Sequence, residues 1–191
     1  MDEKSSFIVR EINNSDIKHL ADYWFNSTPE HLKAMGADKN KLPEKSIFIQ
    51  MMKEQISSSI KDKKSYALIW EIDKMQIGHS NINNIIFGKE ATMHLHLWSS
   101  LNRKKGIGTK LVKKSLPYYF KNLELKKIIC EPYSLNQAPN KTLEKLGFDF
   151  VKRYRTIPGS LNFEQDVNMV SWRPESYSTQ LLRTLCEVIV A

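Results

Sequence analysis

Two groups of residues have the types and spacing to do chemistry. The first is Asn102-Arg103-Lys104-Lys105-Gly106-Ile107-Gly108-Thr109-Lys110, a basic run holding two glycines. Glycine lets the backbone turn tightly and aim consecutive N–H groups at an anion, and a helix starting there adds a partial positive charge worth about 0.3–1 kcal/mol. Such a loop could cradle a pyrophosphate, although a basic turn with a glycine hinge satisfies the same spacing. Two other phosphate loops are excluded: the dinucleotide fingerprint needs a third glycine where Leu111 stands, and a Walker loop ending at Gly108 needs glycine and lysine where Arg103 and Thr109 stand. The second group is His94 and His96, two residues apart, with His79 upstream. On a strand His94 and His96 share a face, where an imidazole could titrate near neutrality and take a proton. His96, then His94, is the favoured base. Hydrogen-bonded sheet histidines are the plain alternative, and His-x-His lacks an evident third ligand, so no metal is expected.

Composition bounds the partners. Lys plus Arg exceed Asp plus Glu by 29 to 21, a net charge of +8 over 191 residues, which suits a phosphate-bearing cofactor, nucleic acid or an acidic membrane without choosing among them. Only Cys130 and Cys186 occur, without CxxC or CxxH spacing, so neither a disulfide framework nor a zinc module is indicated and a reducing compartment fits. The first residues do not resemble a signal peptide, and no apolar run approaches the roughly 20 residues of a membrane span. A cytoplasmic protein with no membrane partner is expected.

Elements that could position these groups follow from periodicity. Phe7 to Ile12 reads as a strand. The Asn13–Asp16 cluster can cap a helix carrying Ile17, Leu20, Ala21 and Trp24 on one face. Ser27 to Glu44 is broken by Pro29, Gly36 and Pro43, and Phe48, Met52, Ile56 and Ile60 then recur at helical spacing. A hairpin turns at Asp73-Lys74, and Gly88 leads to a third strand, Thr92 to Trp98, with Met93, Leu95 and Leu97 opposite the histidines. Helix, strand, helix and two strands follow: Gly106 to Leu123 with Pro117 inside, Lys126 to Cys130, a helix with Pro139 in its first turn and Gly147 at its end, then Phe148 to Arg155 and Glu164 to Trp172. Leu181, Leu182, Leu185, Val188 and Ile189 give 175–191 a helical face expected to pack on a domain spanning 1–174.

In that order, Arg103-Lys104-Lys105-Gly106-Ile107-Gly108 resembles the R/Q-x-x-G-x-G/A coenzyme A loop of the GNAT superfamily. The stretch from Asn136 to Phe148, ending Glu144-Lys145-Leu146-Gly147-Phe148, resembles the family's later Asn-bearing helix with its E-K-x-G-F ending. The resemblance covers roughly Phe7 to Trp172 and looks closest to the branch with ribosomal-protein N-terminal acetyltransferases. It implies an α+β fold, a mixed, splayed central sheet flanked by helices, that opens between the strands of His94–Trp98 and Lys126–Cys130 to admit acetyl-coenzyme A as cosubstrate. Leu97 and Trp98 would pair with the pantetheine arm and polarise the acetyl carbonyl. In the cofactor loop that Arg103 opens, the amides of Lys104, Lys105, Gly106, Ile107, Gly108 and Thr109 would hold the pyrophosphate, and Asn136, Pro139 and Asn140 would flank the pantetheine and thiol.

An amine is mostly protonated at pH 7 and must lose a proton to attack a thioester, which is the task given to His96 or His94. Many relatives protonate the leaving thiolate with a tyrosine where this chain has Leu143. Tyr133 or Asn140 is the expected substitute, unless the thiolate leaves unaided. Glu131 could act as a base or hold a cationic acceptor, although a solvated strand-end charge is commoner. The acceptor, a peptide N-terminus or a small amine, is expected against the first helices and the Ser27–Glu44 segment. Two other readings are a coenzyme A-binding protein without turnover, hinted at by Leu143, and, last, a nucleic-acid-binding surface, disfavoured because the densest basic segment is the cofactor loop itself.

Overall fold

The structure, a computed structural model, describes residues 5–99 and 106–174. Among them seven strands form one sheet in the order β1-β2-β3-β4-β5-β7-β6. The strands are β1 (Phe7–Glu11), β2 (Tyr66–Ile72), β3 (Met75–Ile86), β4 (Glu90–Leu97), β5 (Lys127–Cys130), β6 (Asp149–Thr156) and β7 (Gln165–Trp172). All neighbours are antiparallel except β4 and β5, which are parallel. The helices are α1 (Ile17–Asn26), α2 (Pro29–Ala34), α3 (Lys45–Ser57), α4 (Ile107–Asn122) and α5 (Gln137–Lys145). This is the splayed α+β architecture expected.

Local chemistry accounts for most boundaries. Asp73 and Lys74 both take positive φ (49° and 65°), the geometry a two-residue hairpin needs to match strand twist. Gly147, at φ 74°, ends α5. α4 runs unbroken through Pro117. α2 is absent from the sequence reading, because six residues are too few to show a period. It forms because the Thr28 hydroxyl accepts from the His31 N–H and Pro29 occupies the first turn, where no donor is needed.

The two sheet faces differ in kind. On one, Leu68, Trp70, Ile82 and Met93 pack with Leu111, Val112, Leu116 and Tyr119 of α4 and with Leu143 and Leu146 at the end of α5. Polar bonds inside this core fix the position of α4: the Trp70 indole donates to Ser115 Oγ (2.9 Å), and Ser80 Oγ meets the Tyr119 hydroxyl (2.7 Å). On the other face a smaller cluster joins Leu20 and Ala21 of α1, Phe48 of α3 and Ile69 of β2, with Trp24 and Trp98 packed against it.

Asp16 anchors α1 to the sheet. Fully buried, it accepts from Arg10 Nη1 and Nη2 (2.7 and 2.8 Å), from the Asn13 amide (2.8 Å) and from Gln76. Burial alone would push this carboxyl up, but the bonds from Arg10 and Asn13 outweigh it and hold it below the ordinary carboxylate range. Its stabilisation is therefore full above the unfolded carboxyl's titration and is lost as pH falls through the folded one. Asp16→Ala leaves Arg10 without its buried partner and is expected to cost about 3 kcal/mol, read as a lower urea midpoint at unchanged m-value.

Candidate active site

The site is made by an interruption in the sheet. β4 pairs with β3 as far as Leu97, but with β5 only from Glu90 to Thr92. Five residues of β4, Met93 to Leu97, thus have an edge without a strand partner among the described residues. The Trp98 amide donates to the Ile77 carbonyl across β3 (2.9 Å). Alternation along the strand turns the amides of Leu97, Leu95 and Met93 the other way, toward the gap. Met93's amide meets the buried Cys130 thiol. Those of Leu95 and Leu97 point where a ligand strand would lie. Of the expected pair, Leu97 therefore faces the gap. Trp98 does not: its amide belongs to β3 and its indole packs on the α1 side.

A cavity of about 330 Å³ fills this gap and reaches both faces of the sheet. On the α4 side it is lined by Leu97, Gly108, Val112, Pro139 and Thr142, and on the α1 side by Trp24, His31, Met35, Asn81, Asn83, His94 and His96. Gly106 caps α4 in the left-handed region (φ 71°), a conformation that costs other L-residues roughly 1–2 kcal/mol. The first-turn amides that follow have no partner within the helix, and no acidic side chain occupies that turn. A Cβ built on Gly108 would stand 3.7 Å from Leu97 Cδ1 and 4.0 Å from Thr142 Oγ1, so any longer side chain would fill the mouth of the cavity.

Other expected contacts divide. Gly108, Asn136 and Pro139 line the cavity, whereas Ile107 is buried in the core and Thr109 is outside the lining. Asn140 cannot serve as a ligand donor: its amide nitrogen donates to the carbonyls of Tyr133 (3.0 Å) and Asn136 (2.7 Å), and its oxygen accepts from Asn168 (2.8 Å). It holds the Tyr133 loop instead. Tyr133 lines the cavity with its ring edge-on to Phe163 (5.8 Å), and Leu143 is buried beside it. Arg103, Lys104 and Lys105 lie outside the described residues, as does the helix expected over 175–191.

The histidines occupy one face, as the period of two requires. His79 and His96 are cross-strand partners with stacked rings (4.5 Å between centroids), and His94 lies opposite Asn81. His79 is sealed off as a base: it is buried, and its Nδ1 accepts from the Trp98 indole (2.8 Å). His94 Nε2 donates to Asn83 Oδ1 (3.1 Å). His96 Nδ1 lies 3.2 Å from the Tyr23 hydroxyl, and its Nε2 has no protein partner among the described residues. None titrates near neutrality. Burial, with His94 adding a smaller push, lowers His79 to about 3; burial lowers His94 to about 4; and burial, then the charges of His79, His94 and His31, takes His96 well below its ordinary value.

Several lining groups gave no signal in the sequence. The β6–β7 turn, Pro158 to Asn162, closes over the cavity because Ala37 bridges Asn162, Asp38's amide donates to the Leu161 carbonyl (2.8 Å), and Gln165 Nε2 donates to the Gly36 carbonyl (2.8 Å). Gln165 Oε1, in the same lining, is buried without a hydrogen-bond partner among the described residues. Nothing in the pattern of either segment links positions more than 120 residues apart. Glu131 also lines the cavity, half-buried, and accepts from the Tyr154 hydroxyl.

A model of the acetyltransferase (GNAT) domain matches residues 6–149. No protein of curated function matches the chain in sequence. Among solved structures, the fold is similar to a spermidine N-acetyltransferase from Vibrio cholerae in complex with coenzyme A and spermine (TM-score 0.72, 17% identity, 88% of this chain and 96% of that one). It is also similar to RimL, a ribosomal L7/L12 alpha-N-protein acetyltransferase in complex with coenzyme A (0.73, 14%, 90% and 96%), and to a ribosomal-protein-S5-alanine acetyltransferase from Vibrio fischeri (0.69, 20%, 92% and 100%). Among the described residues, no helix is long and apolar enough to cross a membrane and no group of three acidic, histidine or cysteine side chains could hold a metal.

Buried neutral histidines carry a pH signature. They titrate near 6.5 when unfolded and far lower when folded, so the unfolded state binds more protons below 6.5 and stability falls with pH from there toward about 4 and 3. The expected slope reaches roughly 1.4 kcal/mol per pH unit for each histidine. Urea midpoints that stay flat from pH 7 to pH 5 would contradict it.

Proposed function

We propose, from the premise that the chain belongs to the GNAT acetyltransferase family, that it is an acetyl-coenzyme A-dependent N-acetyltransferase acting in the cytoplasm on a primary amine by direct attack in a ternary complex. The observation that carries this reading is the unpaired edge of β4, whose Leu95 and Leu97 amides face a cavity open to both sides of the sheet. A thioester arm laid along that edge would gain the hydrogen bonds that β5 does not supply. The same amides would be preorganised donors for the acetyl oxygen as negative charge develops on it, usually the largest electrostatic contribution in acyl transfer. The first turn of α4 is the corresponding place for the pyrophosphate. The named activities of the structural neighbours, on spermidine and on ribosomal proteins, are both amine acetylations.

The acceptor would enter from the α1–α2 side. Glu131 is the single carboxylate among the described lining residues, and it already accepts from Tyr154. Burial there disfavours the charged ammonium and so favours the neutral, attacking amine, while a second ammonium in the same cavity would have no partner. An acceptor with one amine charge, such as a peptide N-terminus or a small monoamine, fits this lining. As nitrogen bonds to the acetyl carbon its two hydrogens become acidic; one stays in the amide and the other must leave. His96, neutral with an open Nε2, is the group suited to take it, in preference to His94, whose Nε2 is held by Asn83. Tyr133 is the hydroxyl suited to protonate the departing thiolate where Leu143 replaces the usual tyrosine. Trp98, Ile107 and Asn140 act through packing and loop placement.

Calorimetric titration with acetyl-coenzyme A is the first test: the wild type should bind, and an Arg103→Glu, Gly106→Trp variant should not. No binding by a folded wild type would remove the acetyltransferase reading, and binding without transfer to any amine would leave a coenzyme A-binding protein. His96→Gln is expected to lower kcat by about 10²–10⁴ with the KM for acetyl-coenzyme A little changed. Because His96 is held well below its ordinary value, the neutral base persists at lower pH, and kcat/KM should show no inflection near pH 6.5. Between n-hexylamine and 1,6-diaminohexane, matched in length, the monoamine should be acetylated with the higher kcat/KM.

A further inference from the structure

Two side-chain amides, Asn140 of α5 and Asn168 of β7, have orientations that their partners fix. The Asn140 amide faces the carbonyl oxygens of Tyr133 (3.0 Å) and Asn136 (2.7 Å). A carbonyl can only accept, so the nitrogen of Asn140 must be the end turned toward them. Its oxygen is thereby turned to Asn168, 2.8 Å away, and only the side-chain nitrogen of Asn168 can donate to it. The direction of all three bonds follows from two backbone carbonyls.

The chain that leaves β5 is held against the same stretch of β7. The Asn168 backbone amide donates to the Pro132 carbonyl (3.1 Å), Tyr133 bridges Val167, and the Ser134 amide donates to the Asp166 carbonyl (2.9 Å). The Tyr133 carbonyl then accepts twice, from the Asn136 amide (2.9 Å) and from Asn140. Tyr133 therefore sits in a loop clamped by β7 on one side and by the start of α5 on the other, its ring in the cavity lining and against Phe163. Asn168 serves both clamps. Its backbone reaches Pro132, just before Tyr133, and its side chain reaches Asn140, which holds the carbonyl of Tyr133 itself. Almost any residue at 168 could make the backbone bond, but the bond to Asn140 needs a side-chain donor of this reach.

We propose that Asn168 is a positioning residue for Tyr133: through Asn140 it fixes the Tyr133 carbonyl, and with it the place of the Tyr133 hydroxyl at the cavity. The catalytic consequence rests on the N-acetyltransferase reading, in which Tyr133 protonates the leaving sulfur; the placement itself does not. As the acceptor nitrogen bonds to the acetyl carbon, the carbon–sulfur bond breaks and its electron pair leaves on sulfur. The sulfur takes the Tyr133 proton, His96 takes a proton from the nitrogen, and exchange with water returns both side chains to their starting forms. Transfer to sulfur needs the hydroxyl within hydrogen-bond reach at that moment, and a misplacement of about 1 Å can cost about 10²-fold. A loop held by directional amide bonds keeps the hydroxyl from straying that far.

Two variants of the full-length protein test it. Asn168→Leu keeps the branched shape and removes the donor, and Asn168→Asp keeps the shape and sets a carboxylate oxygen against the Asn140 oxygen. The first readout needs no turnover: in protein labelled with 3-fluorotyrosine, the ¹⁹F signal of Tyr133 is identified by its loss in Tyr133→Phe, and it should shift in both Asn168 variants. The second is kinetic. Both variants should lose about tenfold or more in kcat with the KM for acetyl-coenzyme A little changed, and a Tyr133→Phe, Asn168→Leu double variant should be no slower than Tyr133→Phe alone, because Asn168 acts through that hydroxyl. A Tyr133 signal that stays in place in both Asn168 variants overturns the proposal, as do kcat losses that multiply in the double variant. A shifted signal in a protein whose wild type transfers acetyl to no amine would uphold the placement and sink the acetyltransferase reading instead.

Discussion

The structure depends on how briefly β4 and β5 pair. Parallel neighbours within one sheet ordinarily exhaust each other's backbone donors and acceptors, and three residues of contact leave β4 with an open edge inside the molecule rather than at its rim. Buried N–H and C=O groups without partners are costly, so such an edge persists only where something else serves it. Here the Met93 amide has the Cys130 thiol, and the amides beyond it face a cavity large enough for an extended ligand. The sheet does not fall apart at this seam because each half is secured separately. β4 is held along its length by β3, β5 by β7, and α4 is tied to β2 and β3 by Trp70, Ser80, Ser115 and Tyr119.

The two faces of the sheet then take different tasks. The α4 face is apolar and rigid, and it brings the glycine at the start of α4 to the end of β4. The α1 face carries an unusual density of rings that are also polar: three histidines, Tyr23, Trp24 and Trp98. Such a cluster is stable only when its ring nitrogens and hydroxyls bond one another, because an unpaired polar group in a low-dielectric interior forfeits its hydration. The same low dielectric keeps the imidazoles neutral. Burial thus converts histidines, which in water would be half charged near pH 6.5, into fixed donors and acceptors.

Much of this was legible in the residues themselves. Alternation over Thr92 to Trp98 put His94 and His96 on one face, and Gly106 fell at the start of α4 with Gly108 in its first turn. Roles within the site were less legible. Trp98 and Leu97 are adjacent in sequence and equivalent to any motif, yet one amide bonds β3 and the other faces the cavity. Asn140 matches a family position, but three local bonds leave it no donor for a ligand. α2 escaped notice because a single turn and a half, set by Thr28 and Pro29, has no periodicity to detect.

The sequence by itself determined most of the elements, their order, the glycine-bearing turn before α4 and the family, because each rests on residues near one another along the chain. Only the tertiary structure decided the cavity's far wall, where the β6–β7 turn meets the segment after α2, the partner of each histidine nitrogen, and which backbone amides are left open. Those outcomes depend on contacts across the sheet between segments far apart in the chain, and a hydrogen bond has to be made to one partner and withheld from another before its meaning exists.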